Sequence, residues 1–104
     1  MSTLIIDIRQ KIDRDEFELS KHAVDRSILR GIRITEIKEA IANGQIIEDY
    51  PDDKYFPSCL ICGSTSSDRI LHIHCSYPSR PSIKIITLYE PDINQWNKDF
   101  TQRK

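Results

Sequence analysis

The chain has 104 residues, 38% hydrophobic and 30% charged, with a formal net charge of −1. Those proportions exclude a disordered chain and a uniformly basic nucleic-acid binder, and no apolar run reaches the ~18–20 residues of a membrane-spanning helix. One domain over residues 1–104, with its core from about 17 to 100, is expected to bury ~60–70% of the surface that the unfolded chain exposes.

The opening "MSTLIIDIRQ" is interrupted by Asp7 and Arg9 where a signal peptide would stay apolar, so a cytoplasmic protein without membrane contact is expected. Within it Leu4, Ile5, Ile8 and Ile12 recur at helical spacing and predict an amphipathic helix from Thr3 to Ile12. A short strand follows around Phe17 to Leu19. Ser20 then caps a second helix, "SKHAVDRSILRGI", that Gly31 ends. At ~3.6 residues per turn, His22, Arg26, Arg30 and Arg33 fall on one stripe, which leaves Val24, Ser27, Ile28 and Gly31 for packing. Only Asp25 opposes Lys21, Arg26, Arg30 and Arg33, so a basic face within a neutral protein is expected.

Thr35 caps a third helix that points Ile37, Ala40 and Ile41 inward and stops at Asn43-Gly44. Glu36 and Glu39 on it, and Asp52-Asp53 beyond, read as surface charge. From Gln45 the period changes. "QIIEDY", "SCLICGS", "RILHIHCSY" and "SIKIITLY" are β-rich runs separated by turn-forming stretches, and they predict an antiparallel meander. After Pro91, Asp92 caps a last helix with Ile93, Trp96 and Phe100 on one side, ending in a polar tail. The predicted fold class is α+β: helices on one face of an antiparallel sheet of about four strands, with a short fifth.

Cys59-x-x-Cys62 with His72, His74 and Cys75 raises a zinc site, but the run "SCLICG" is strand-like and directs Cys59 and Cys62 to opposite faces. An odd number of cysteines is equally unsuited to a disulfide framework, so the three are read as core thiols. No metal site and no cofactor are expected. In Arg69 to Tyr77, His72 and His74 share a face ~7 Å apart, opposite that of Leu71, Ile73, Cys75 and Tyr77. On the next strand the choice of face is open. If Thr87 and Tyr89 join the histidines, that surface offers two imidazoles, a hydroxyl and a phenol, able to bind phosphate, stack on a base and move protons. His22 lies at the positive end of its helix among cations, a setting from which a base is expected. Arg26 and Arg30, one and two turns on, suit phosphate oxygens.

The pattern His22-Ala23, Arg26 and Arg30-Gly31, with Ile86-Thr87-x-Tyr89-x-Pro91 and a histidine at position 72, resembles the small family called domain of unknown function 4258. The likeness runs from about Phe17 to Trp96 and implies a RelE-like or barnase-like ribonuclease fold. It further implies a toxin of a type II toxin-antitoxin pair that cuts RNA, free or on the ribosome, without a metal. An antitoxin, commonly one with a zinc-finger segment, is the implied partner. For that chemistry His22 or His72 is expected to act as base and the other as acid in 2′-OH attack, with Tyr89 able to replace one of them and Arg26 on the scissile phosphate, while Arg30, Arg33, His74, Tyr77 and Thr87 bind substrate. From a different class, the same stripe would serve a non-catalytic module that docks RNA or an acidic partner.

Overall fold

The computed structural model describes residues 3–104. Three helices, α1 (Leu4–Asp13), α2 (Lys21–Arg30) and α3 (Ile34–Asn43), are combined with five strands: β1 (Phe17–Leu19), β2 (Gln45–Tyr50), β3 (Ser58–Ser64), β4 (Ile70–Ser76) and β5 (Ile83–Tyr89). The sheet order is β1-β5-β4-β3-β2. Strands β2 to β5 form the expected meander, but β1 joins β5 in parallel, so the sheet is mixed and has five strands. The short strand returns beside the last one because the chain must bring Ser20 to the edge of β5, where its N–H donates to the Ile85 carbonyl at 2.9 Å.

Ile8, Ile12, Ile37, Ala40 and Ile41 from the helices meet Ile61, Leu71, Ile73, Ile83, Ile85 and Leu88 from one face of the sheet. Close approach of α3 to β3 requires Gly63, where an added Cβ would lie 1.8 Å from the Ala40 carbonyl oxygen. Cys59 and Cys75 join this core and Cys62 lies on the opposite face, all three as free thiols.

Two bulges decide which side chains reach the other face. In β4–β5, His74 pairs with Thr87 and Cys75 with Ile85, so Ile86 is an extra residue. Strict alternation would put Ile83, Ile85, Thr87 and Tyr89 together; the bulge keeps the two isoleucines in the core and turns Thr87 and Tyr89 to the histidine face. In β2–β3 the extra residue Ile47 likewise puts Glu48 opposite Leu60 and Tyr50 opposite Ser58.

Several expectations need correction. No helix follows Asp92: the segment consists of turns closed by an isolated bridge between Trp96 and Arg103. Asn97 accepts from the N–H groups of Thr101 and Gln102, competing with helical bonding, and Phe100 has a φ of 60° that a helix forbids. Trp96 is buried whereas Ile93 is exposed, so the two are not on one apolar side. Helix α3 begins two residues earlier than a Thr35 cap would set it, because Arg33 is the N-cap and the Glu36 carboxylate accepts its N–H at 3.0 Å. Glu36 is therefore buried rather than surface charge. Finally, α2 packs through Ala23, leaving Val24 and Ile28 exposed, the latter 74%. A helix beside a sheet edge needs only a narrow contact, and a small residue sits there.

Candidate functional site

The N-cap of α2 sets the geometry. Ser20 Oγ accepts from the Ala23 N–H at 3.0 Å and donates to the Ile86 carbonyl at 2.7 Å, so one hydroxyl starts the helix and ties it to the bulge in β5. At the other end Gly31, with φ of 63°, closes the helix, and Arg69 donates to the carbonyls of Arg30 (2.5 Å) and Gly31 (3.1 Å). Arg69 is itself held by Glu36 at 3.3 Å and Glu90 at 3.1 Å. Both carboxylate contacts raise its already high pKa, that to Glu90 more, and hydrogen bonds from the Arg33 backbone and then Arg69 outweigh burial to lower that of Glu36.

Pinned in this way, α2 faces β5 across a cleft of about 530 Å³ whose wall includes His22, Arg26, Arg30, Thr87, Tyr89 and Arg103. Trp96, Asp92, Gln95 and Glu90 complete it. The floor is well ordered by hydrogen bonds. His72 lies fully buried beneath it, and its Nε2 is 2.7 Å from the Phe100 carbonyl, which can only accept. The proton is thus on Nε2, and Nδ1 accepts from the Tyr89 hydroxyl at 3.2 Å. Burial lowers the His72 pKa and raises that of Tyr89, so the pair is neutral imidazole and protonated phenol.

Arg103 reaches this floor from the C-terminal segment. Its guanidinium lies over the Trp96 ring at 4.7 Å and forks onto Glu48, with Nε 2.8 Å and Nη2 3.1 Å from the carboxylate. Tyr50 also donates to Glu48. The Arg103 bond, followed by that from Tyr50, outweighs burial and lowers the Glu48 pKa, while burial and then this carboxylate push the phenol of Tyr50 up to about 12. His74, in the row Glu48–Leu60–His74–Thr87 across the sheet, directs Nε2 to Ser58 Oγ at 2.9 Å. Ser58 donates to Asp53 at 2.6 Å, so its oxygen accepts from His74, whose pKa burial lowers despite Asp53.

The structure therefore brings together His22, Arg26, Arg30, Thr87 and Tyr89, with His72 under them and His74 alongside. Two expected residues are elsewhere. Arg33 lies beyond the Gly31 break, 81% exposed at its side chain and 3.7 Å from Glu36. Tyr77 is on the helix face, packed against the core, with its hydroxyl donating to Asp49. Arg103, Trp96, Glu48 and Tyr50 were not anticipated as site residues; Trp96 was read as the apolar side of a last helix and Arg103 as part of the polar tail behind it. Among the described residues, no three His, Cys, Asp or Glu side chains are grouped to hold a metal ion, and no helix is long and apolar enough to cross a membrane.

Fold and cleft define a small α+β domain in which one helix, set at the edge of a mixed open sheet, overhangs its free face with basic side chains. A family model described as "Domain of unknown function (DUF4258)" matches residues 19–90, and the chain belongs to that family. No curated protein and no solved structure matches it.

Proposed function

We propose that the protein is a metal-independent endoribonuclease, of RelE-like or barnase-like type, that acts as the toxin of a type II toxin-antitoxin pair. The observation that carries this reading is the single cleft in which His22, Arg26 and Arg30 oppose Tyr89, Thr87 and Arg103. Arg26 and Arg30 grip the scissile phosphate, since guanidinium forks match phosphate oxygens and stabilise the charge of the phosphorane. His22 takes the proton of the ribose 2′-OH as that oxygen attacks phosphorus. The bond from phosphorus to the 5′-oxygen breaks, and the Tyr89 hydroxyl turns from His72 to protonate the leaving oxygen. The products are a 2′,3′-cyclic phosphate and a 5′-hydroxyl. Proton transfer and preorganised charge each contribute ~10²–10⁴-fold. His72 does not touch substrate in this scheme; as a positioning residue it holds Tyr89.

The specific test is to separate chemistry from binding. His22→Gln and Tyr89→Phe are expected to bind single-stranded RNA within about twofold of the parent while losing ~10²-fold or more in cleavage rate. Full cleavage by both variants would refute the assigned roles.

A partner protein belongs to the same reading. The outer side of α2 exposes Ile28 at 74% and Leu29 at 73% next to the basic stripe, and an antitoxin, of the zinc-finger-bearing kind implied by the family resemblance, would cover them. That exposed pair also favours the second reading, a non-catalytic module docking a partner through α2. In that case Ile28→Asp abolishes function whereas His22→Gln spares it.

A further inference from the structure

Beside the cleft lies a smaller pit of about 270 Å³, lined by Tyr50, Leu60, His74, Thr87, Tyr89 and Arg103. The last three also line the cleft or flank its mouth: Thr87, Tyr89 and Arg103 are common to both cavities, so one bound molecule can occupy the two at once. We propose that this pit seats a single unpaired nucleobase of the nucleotide whose phosphate is gripped in the cleft. The inference rests on the ribonuclease reading and adds to it a base-specific subsite.

Size, walls and free polar groups agree. The volume falls just below the ~300–1,000 Å³ of pockets that take drug-sized molecules, which suits one heterocycle and no stack. Its walls are two phenols and an imidazole over an aliphatic floor, Leu60 being only 3% exposed. Tyr50 and His74 meet edge to face at 5.5 Å and 81°, forming a corner against which a planar ring can rest. Without a ligand these walls are held by hydrogen bonds, the Tyr50 hydroxyl to Glu48, that of Tyr89 to His72 and His74 Nε2 to Ser58.

In the pit, His74 Nδ1 offers an acceptor and the Thr87 hydroxyl a donor or acceptor, neither of them engaged among the described residues. Together they complement the mixed donor and acceptor edge of a base, which water alone would otherwise satisfy. Arg103 stands at the junction on its Trp96 platform, where a cation serves the phosphate on one side and a π system on the other.

The test titrates the protein, by calorimetry or NMR, with ribose 5-phosphate and with the four nucleoside monophosphates. At least one nucleotide is expected to bind about tenfold more tightly than ribose 5-phosphate, the usual scale of one base on aromatic side chains. Leu60→Phe fills the floor and is expected to erase that advantage while leaving ribose 5-phosphate binding unchanged. Should that variant not fold, Thr87→Val leaves the volume alone and is expected to alter the ranking of the four bases. Equal binding of ribose 5-phosphate and all four nucleotides overturns the base subsite and leaves the phosphate cleft standing. Failure of every ligand to bind overturns the phosphate cleft and the subsite with it. An undiminished nucleotide advantage in folded Leu60→Phe places the base elsewhere and also overturns the proposal.

Discussion

The Ser20 hydroxyl donates to the Ile86 carbonyl at 2.7 Å, so the first turn of α2 is fastened to the extra residue of the β5 bulge. Both features aim cleft side chains: the cap sets His22, the bulge sets Thr87 and Tyr89. Replacing Ser20 with Ala removes the cap to Ala23 and leaves the Ile86 carbonyl without its donor. A loss of about 1–2 kcal/mol in urea unfolding is expected. Cleavage by the folded variant should fall further than stability alone explains, because His22 is then held less firmly; unchanged cleavage would separate the cap from the site.

Arg69 does the same at the far end of α2, through the carbonyls of Arg30 and Gly31 and the carboxylates of Glu36 and Glu90. Arg69→Met leaves buried Glu36 with only the Arg33 N–H and the exposed Arg33 side chain, at an expected cost of about 2–4 kcal/mol. Glu36→Gln keeps an acceptor for Arg33 and should cost less. Thermal unfolding of the two variants measures the difference, and the reverse order would contradict this assignment.

Acid stability follows from the two sheet histidines. Burial lowers both His72 and His74 below the ordinary value of 6.5, so between that value and their folded-state pKa the unfolded chain binds protons that the folded one does not. Stability is therefore expected to fall as pH drops below about 6.5. Glu48 and Glu36, with lowered pKa values, add a further loss below 4.5 as they are protonated. His74→Gln should flatten the upper part of the decline in a series of urea titrations; an unchanged slope between pH 6.5 and 5 would exclude His74 as a contributor.

The proposed phosphate grip of the cleft has a signature in salt. Arg26→Gln and Arg30→Gln are each expected to reduce the slope of log affinity for single-stranded RNA against log salt by about 0.7, with little effect on unfolding. Arg33→Gln serves as the comparison, because Arg33 lies outside the cleft and its slope should match the parent.

Much of α2 was legible because its determinants are local: a serine cap, a helical period and a glycine with left-handed φ. The histidine face of β4 was legible for the same reason, since alternation needs no partner. What strands beside it contribute was not, because the faces of Thr87, Tyr89, Glu48 and Tyr50 depend on single extra residues at Ile86 and Ile47, and nothing in the pattern of isoleucines marks a bulge. The C-terminal segment misled for a related reason. Ile93, Trp96 and Phe100 fit a helical period, but the bonds that shape the segment run from Asn97 to Thr101, from His72 to Phe100 and from Arg103 to Glu48. Two of the three join residues far apart in sequence. Arg103 consequently entered the site from a stretch that looked like a tail.

The most direct measurement is the chemistry of the new 3′ ends when purified protein acts on total RNA in excess EDTA, with His22→Ala in parallel. The ribonuclease reading expects cleavage that survives the chelator, leaves 2′,3′-cyclic phosphate and disappears in the variant. Ends bearing a 3′-hydroxyl, cleavage that EDTA abolishes, or no cleavage by the folded protein with or without translating ribosomes would contradict it.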